Sequence, residues 1–174
     1  DLLKPFSTAA GAIGVLALVF DRWIWRWQRL HPWFVSTPNL HGTWHGQLVS
    51  DWENGDGHRL TPVDVCLVIR QRLSTISMRL LTPESTSALL GGNVSKEVDG
   101  MDIVTGIYLN TPGVLRRDLS PIHHGGLILQ VQGEPPAALE GEYWTNRGTK
   151  GSLRFSRRTD KLLHSYREAA EEFA

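Results

Sequence analysis

The chain has a single cysteine, Cys66, among its 174 residues, so it can form no intrachain disulfide and no thiol-rich metal site. It also lacks an excess of either charge: 18 basic side chains balance 18 acidic ones, and past residue 34 the acids slightly outnumber the bases. Such a domain is a poor candidate for binding a nucleic acid polymer, because that binding depends on neutralising phosphates in series. A small ligand with one or two phosphates is compatible with this composition.

Enzyme motifs are missing as well. The sequence contains no G-x-S-x-G, H-E-x-x-H or P-loop pattern. His41, His45 and the pair His123–His124 have no carboxylate or cysteine at the usual metal-ligand spacing. We therefore predict no catalytic residues, no metal site and no cofactor, and we expect a binding protein rather than an enzyme.

Long hydrophobic runs are absent except near the N-terminus, where residues 6–20 carry no charge. As a helix this run would be about 22 Å long, against about 30 Å for a bilayer core. Leucines before it and tryptophans after it extend it towards a full span. The sequence thus predicts a transmembrane helix within residues 1–30, with a buried helix of a soluble fold as the alternative.

The end of this segment is typical of a membrane interface. Four of the seven tryptophans lie within residues 22–34, and indole rings favour the headgroup layer. We assign Trp23, Trp25, Trp27, Arg22 and Arg26 to that interface. Because more basic residues follow the helix than precede it, the positive-inside rule places the remainder of the chain in the cytoplasm.

Small residues recur four apart in the same helix, at Ser7 and Gly11 and at Ala10 and Gly14. This spacing allows two helices to approach closely in lipid, so Ala10 and Gly14 are predicted packing positions. The partner would be another copy of the chain or a segment upstream of Asp1, where we expect further sequence because the chain does not begin with Met.

Pro32 and Pro38 interrupt any helix, which makes residues 31–39 a linker before a domain at 40–174. That domain alternates apolar and polar residues between turn signals, among them "NGDG" at 54–57. The pattern predicts an all-β fold, an eight-stranded antiparallel up-and-down barrel, with a seven- or eight-stranded sandwich as the alternative. The predicted strands are 40–50, 62–71, 75–82, 86–96, 101–110, 125–132, 139–146 and 151–158.

Two further features concern the ends of the domain. Residues 160–173 have helical periodicity and predict a short amphipathic helix. In "LHGTWHG" at 40–46, Gly42 and Trp44 resemble the G-x-W opening of lipocalins, where the tryptophan plugs one end of the barrel. We assign both a structural role, with Arg154 or Arg157 as the expected cation over the indole.

The densest polar signal is "LEGEYWTNRGTKGSL" at 139–153. One strand face carries Leu139, then Tyr143 and Thr145, and ends at Arg147. An apolar base that becomes polar towards the strand end suits a barrel mouth holding a ligand with an anionic edge. Tyr143 could stack on a base and Arg147 could pair with a phosphate; the alternative is that Arg147 is simply a hairpin residue beside Gly148.

Two other segments offer similar groups. "LLTPESTS" contributes Thr82, Ser85 and Ser87, while "GIYLNTP" contributes Tyr108 and Asn110. Strict alternation places Tyr108 and Asn110 on the face opposite Ile103 and Ile107. They reach the interior only if Gly106 forms a bulge or if the two isoleucines face outward.

Taken together, the N-terminal segment, "NLHGTWHG", "LTPESTS", "IYLNTP", "HHGG" and "LEGEYWTNRGTKGSL" resemble the two-transmembrane, β-barrel effectors of bacterial CBASS anti-phage systems. The resemblance covers most of residues 9–158, and its most specific part is 139–151. One hydrophobic helix is present here where that family has two.

This resemblance implies a lipocalin-like barrel facing the cytoplasm at the bacterial inner membrane. The barrel would sense a cyclic dinucleotide made by a partner nucleotidyltransferase, using Tyr143, Thr145, Arg147, Tyr108, Asn110, Thr82 and Ser85. Ligand would drive homo-oligomerisation through the membrane helices, disrupt the bilayer and kill the infected cell. The alternatives are a membrane-tethered carrier of an apolar molecule and an anchor without a ligand.

Overall fold

A computed structural model of the chain describes residues 3–51 and 62–174. The chain divides into two compact units. The first contains the N-terminal segment as far as Thr37 together with the turn Arg72–Thr75, and the second contains the rest. The division after Thr37 falls inside the stretch 31–39 that the prolines mark as a linker.

The second unit is a closed barrel in which every strand is antiparallel to its neighbour and β1 pairs with β8. This closure confirms the up-and-down barrel and shows that the sandwich alternative is wrong. Every predicted strand end lies within two residues of the observed one; the predicted turn at 54–57 lies outside the described residues. The described strands are β1 Gly42–Ser50, β2 Val63–Gln71, β3 Ile76–Leu81, β4 Ser85–Lys96, β5 Asp102–Pro112, β6 His123–Gln132, β7 Ala138–Thr145 and β8 Lys150–Thr159.

The inward-facing side chains of these strands form the hydrophobic core of the barrel. Its core cluster is aliphatic and aromatic, and Trp44 and Phe155 are its largest fully buried side chains. Each fully buried side chain of this kind contributes roughly 1.5–3 kcal/mol to folding. Burial of these side chains therefore stabilises the barrel as a whole.

A second, smaller cluster lies on the outer face of the barrel. It joins Cys66 and Leu81 to the C-terminal helix α2, Tyr166–Phe173, through Ala169 and Phe173. The predicted C-terminal helix is thus confirmed, but it begins later than residue 160.

The late start of α2 has a local cause. Ser165 caps the helix by accepting a hydrogen bond from the Glu168 backbone N–H at 3.2 Å. Before it, the Thr43 hydroxyl donates to the Lys161 carbonyl at 2.7 Å and accepts from the Leu163 N–H at 3.2 Å. These contacts hold residues 161–163 in an irregular conformation that periodicity alone does not reveal.

The first unit contains a 20-residue helix α1, Leu3–Arg22, followed by two short 3-10 turns. Within the described part of the chain, no helix is both long and apolar enough to cross a membrane. Trp23 and Trp27 are exposed, whereas Trp25 is fully buried and its backbone carbonyl lies 2.8 Å from the His31 ring nitrogen. Of the three predicted interfacial tryptophans, the structure therefore leaves two at the surface.

Candidate functional site

A cavity of about 520 Å³ opens at the end of the barrel opposite the start of β1. The β3–β4 turn, the loop between β5 and β6 and the β7–β8 turn surround its mouth. Its volume falls within the range of about 300–1,000 Å³ that is usual for small-molecule pockets.

The cavity is apolar below and polar at its rim. Side chains from β2, β3, β6 and β8 form the lower wall. These are Val65, Leu67, Met78, Leu80, Leu127 and Leu153. All seven residues that the sequence analysis assigns to ligand binding line the same cavity: Thr82, Ser85, Tyr108, Asn110, Tyr143, Thr145 and Arg147.

Each of the two tyrosines packs against a glycine on the neighbouring strand. Tyr108 is paired with Gly125 and Tyr143 with Gly151. A Cβ placed on Gly125 would lie 2.3 Å from the Tyr108 ring, and one on Gly151 would lie 2.7 Å from the Tyr143 ring. The glycines thus leave the space that the rings occupy, which fixes two aromatic surfaces within the cavity wall.

Burial also favours the neutral form of these two phenols. Desolvation raises the pKa of the Tyr108 phenol, and the nearby Tyr143 raises it further. Desolvation likewise raises the pKa of Tyr143, although its hydrogen bond to Ser50 acts in the opposite direction. Both phenols are therefore neutral at physiological pH and can donate hydrogen bonds to a ligand.

Polar side chains of β4 and β5 form one connected group at the rim. The Asn110 amide donates to the Ser85 hydroxyl at 3.1 Å and to the Ser87 hydroxyl at 2.9 Å. The Ser85 hydroxyl also lies 3.1 Å from the Thr82 hydroxyl. Because the group orients its own members, it presents hydroxyl and amide atoms to a ligand in defined positions.

The parity question at β5 is resolved by its outward side chains. Ile107 is exposed, while Val104, Tyr108 and Pro112 point inward. The pairing of β5 with β6 is continuous, so no bulge occurs at Gly106. Tyr108 and Asn110 therefore reach the interior because the isoleucines face outward, and not because of a bulge.

On the other side of the mouth, the β7–β8 turn carries Arg147. The Thr145 and Thr149 hydroxyls lie 2.7 Å apart across this turn, and the Arg147 N–H donates to Thr145 at 3.3 Å. The Arg147 guanidinium donates to the Ser120 hydroxyl at 2.9 Å. Arg147 is therefore both a turn residue, as the simpler alternative proposed, and a cation at the cavity mouth.

Several cavity residues were not assigned by sequence reasoning. They are Arg116, Ser120, His123 and Thr149, and they belong to the β5–β6 loop, the start of β6 and the β7–β8 turn. Period-two alternation does not extend into loops, so it could not place them. The sequence offered one signal for this loop, since two adjacent arginines, Arg116 and Arg117, follow the apolar pair Val114–Leu115.

The closed end of the barrel corrects one prediction. The guanidinium of Arg158, not that of Arg154 or Arg157, lies 5.1 Å from the centre of the Trp44 ring. A register shift in the pairing of β1 with β8 leaves Ser156 without an opposite residue, so parity changes after Phe155 and Arg158 faces inward. Arg154 instead pairs with Glu140 on the outer surface.

Hydrogen bonds complete this closed end. The Trp44 indole donates to the Leu40 carbonyl at 2.9 Å, and Gln71 accepts from the Leu40 N–H at 2.8 Å. Arg158 donates to the carbonyls of Asn39 and His41, at 2.9 and 2.6 Å. Desolvation by burial lowers the pKa of Arg158, but an arginine remains charged at neutral pH. The structural role predicted for Trp44 agrees with these contacts.

Fold and cavity together define a β-barrel whose mouth gathers groups suited to a small ligand with aromatic and anionic parts. The family model described as "Cap15, cyclic dinucleotide receptor domain" matches residues 35–157. The chain therefore belongs to the Cap15 cyclic dinucleotide receptor family.

The chain is also similar to CD-NTase-associated protein 15 of Staphylococcus schleiferi. The two are 26% identical over 142 residues, which cover 82% of this chain and 72% of the relative. The resemblance to CBASS effectors is thereby confirmed for the barrel, while the single membrane helix predicted for this chain stays a prediction.

Proposed function

We propose that the barrel binds a cyclic dinucleotide in its cavity and that binding activates an antiviral effector at the bacterial inner membrane. The observation that carries this proposal is the convergence of two tyrosines, an Asn–Ser–Thr group and Arg147 at the rim of one cavity. A cyclic dinucleotide has two bases that can stack on aromatic rings, and two phosphates that require cations.

The two halves of the rim suit different parts of such a ligand. Arg147 offers a planar fork for a phosphate, and Asn110 with Ser85 and Ser87 offers donors and acceptors for a base edge or a ribose. Tyr108 and Tyr143 lie between them along the barrel wall and offer ring faces to the bases. The barrel needs no nucleophile or general base for this task, and we propose that it is a receptor without enzymatic activity.

The output would pass through the N-terminal unit. Leu16 and Leu18 of α1 are exposed, and added Cβ atoms on Gly11 and Gly14 would meet nothing within 4 Å. These features support insertion of α1 in the inner membrane and packing of copies along Ala10 and Gly14. The arginines at and after the end of α1 support a barrel in the cytoplasm. We propose that homo-oligomerisation of these helices disrupts the bilayer and kills the infected cell.

A link between sensing and output is available at the β2–β3 turn. The Asp21 carbonyl, near the end of α1, accepts from the Leu73 N–H at 3.1 Å, and its carboxylate accepts from the Ser74 N–H at 2.9 Å. Strands β2 and β3, which this turn connects, contribute Leu67 and Met78 to the cavity wall. A change in the wall on ligand binding could therefore shift the helix end, provided that the ligand prefers one of two states.

The first experiment is calorimetric titration of the full chain, in detergent micelles, with 3′–5′ cyclic dinucleotides carrying each combination of the four RNA bases. We expect micromolar or tighter binding of one member and at least 10-fold weaker binding by Arg147→Ala, since a charged hydrogen-bonding partner is removed. No binding across the panel would reject the proposal. The signal identified in this way would name the product expected from the partner nucleotidyltransferase.

The apolar lower wall supports a second function, a membrane-tethered carrier of an apolar molecule. Val65, Leu67 and Leu127 would be sufficient for such cargo, and no phosphate partner would be needed. A fluorescent fatty acid titrated into the wild type and into Arg147→Ala distinguishes the two functions. Tight binding that is unchanged in the variant would favour the carrier.

A further inference from the structure

An ion pair lies at the cavity mouth. Arg116, in the loop between β5 and β6, and Glu84, in the β3–β4 turn, both line the cavity, and their Nη2 and Oε1 atoms lie 2.7 Å apart. Among the described residues that line the cavity, Arg116 and Arg147 are the two with a permanent positive charge. Glu84 is the single carboxylate in that set.

The loop that carries Arg116 is held at both sides of the mouth. Next to the β3–β4 turn, the Gly113 N–H donates to the Glu84 carbonyl at 2.9 Å. Next to the β7–β8 turn, Ser120 accepts from the Arg147 guanidinium at 2.9 Å. These two anchors keep Arg116 at the rim without help from its own side chain.

The ion pair itself is weak. Its side chains are 53% and 61% exposed, and such pairs typically contribute 0.2–1 kcal/mol. The fold therefore does not depend on it, and a phosphate that enters the mouth can compete with the Glu84 carboxylate for the Arg116 guanidinium. Without that exchange, Arg116 would stay paired with Glu84, and a second phosphate would find no available cation at this side of the mouth.

We propose that Arg116 binds the second phosphate of the ligand and that Glu84 is its counter-ion in the empty cavity, displaced when ligand enters. This inference rests on the proposed function, which assigns the first phosphate to Arg147. The two arginines would then match the two phosphates of the ligand. A nucleotide with two phosphodiesters engages both arginines, whereas one with a single phosphodiester leaves one arginine without a phosphate. A ligand with a single phosphodiester, bound at Arg147, would leave the pair between Glu84 and Arg116 intact.

The test compares four variants by calorimetry on the full chain, with the cyclic dinucleotide panel as probe. Arg116→Ala removes the side chain proposed to bind the second phosphate. Arg117→Ala is its control, because Arg117 lies in the same loop outside the cavity. Glu84→Gln removes the counter-ion, and Glu140→Gln, which breaks an outward ion pair with Arg154, is its control.

We expect Arg116→Ala to weaken binding about 10- to 100-fold, the usual effect of losing a hydrogen bond to a charged group, with Arg117→Ala within about 2-fold. Glu84→Gln should tighten binding roughly 2- to 5-fold, because the competing ion pair is gone, and Glu140→Gln should leave it unchanged. Changes in affinity of opposite sign for Arg116→Ala and Glu84→Gln would indicate a binding role. If the pair were only structural, both substitutions would change the affinity in the same direction.

The double variant Glu84→Gln/Arg116→Ala tests whether Glu84 acts through Arg116. The gain from Glu84→Gln should disappear in the Arg116→Ala background, as expected for coupled sites. A wild type that binds with an Arg116→Ala variant equal to Arg117→Ala would overturn this inference and leave the proposed function standing. Absence of binding by the wild type would overturn both.

Discussion

The two ends of the barrel are built from the same strands but are filled in opposite ways. At the closed end, Trp44 and Gln71 are fully buried, and Arg158 donates to the Asn39 and His41 carbonyls. At the open end, Arg147 and Arg116 bind side chains of the rim, a serine and an exposed glutamate. The polar groups at the closed end are satisfied by other protein groups. The two arginines at the open end can exchange their side-chain partners for a ligand.

The partners of an arginine thus distinguish a structural role from a binding role. Arg158 bonds to backbone carbonyls inside the protein, and these would be left without a partner if it were removed. Arg147 and Arg116 bond to side chains that can turn to water. Substitutions at the two ends test that division.

The largest effect should follow from opening the closed end. Trp44→Ala removes a fully buried indole and should lower the free energy of unfolding by about 3–5 kcal/mol, measured by urea denaturation. Trp144→Ala is the matched control, because Trp144 faces outward and is 45% exposed. A loss below about 1 kcal/mol for Trp44→Ala would contradict the structural role.

Arg158→Ala should lower the free energy of unfolding by about 1–3 kcal/mol, because two backbone carbonyls lose their donor. Its effect on ligand affinity should be within about 2-fold. The matched control is Arg154→Ala, whose exposed side chain should contribute less than about 0.5 kcal/mol. Arg147→Ala should give the reverse pattern, with stability kept and affinity lost; equal patterns for Arg158 and Arg147 would remove the distinction between the ends.

Gly125→Ala should affect both properties, because its Cβ would lie 2.3 Å from the Tyr108 ring and 2.5 Å from the Trp144 carbonyl. We expect a loss of about 1–3 kcal/mol in the free energy of unfolding and weaker ligand binding as the ring shifts. Gly91→Ala is the control, since an added Cβ there meets nothing within 4 Å. An unchanged affinity in Gly125→Ala would show that the position of Tyr108 does not matter for binding.

Alkaline pH should destabilise the wall of the open end. The pKa of Tyr108 is raised by burial, so above the unfolded-state pKa of about 10 the folded chain holds a proton that the unfolded chain releases. Stability from this group is full below that pH and falls by about 1.4 kcal/mol per pH unit above it. Denaturation of Tyr108→Phe and wild type between pH 8 and 11 should show a shallower fall in the variant; parallel curves would contradict it.

The smallest effect should come from the turn that connects β2 with β3. Asp21→Ala removes one hydrogen bond to the Ser74 N–H and should lower stability by only about 1 kcal/mol. Ligand affinity should be kept, while ligand-driven self-association, measured by sedimentation velocity in detergent, should fall. Asp51→Ala, which removes a comparable bond to the Lys150 N–H, is the control. Unchanged self-association in Asp21→Ala would exclude this route.

The sequence predicts the strands well because alternation and turn residues are local signals. All seven residues that it assigns to ligand binding line the cavity, and most of them lie at a strand end or in a turn next to one; their role in binding stays a prediction. It could not decide between outward isoleucines and a bulge at Gly106, because alternation fixes only which residues share a face. The prediction of which arginine covers Trp44 was wrong for a related reason. Ser156 has no opposite residue in the pairing with β1, which reverses the parity along the rest of β8.

Period and turn propensity are properties of neighbouring residues, and they were sufficient to predict the eight-stranded barrel and the kinds of side chain at its mouth. The resemblance to lipocalins added Trp44 as the plug. Tertiary structure decided which arginine covers Trp44, that α2 begins at Tyr166, and that Arg116 faces Glu84 across the mouth. These features depend on register and on contacts between loops far apart in the chain. Closing the barrel brings such loops together, and a local sequence pattern cannot predict contacts between residues so far apart in the chain.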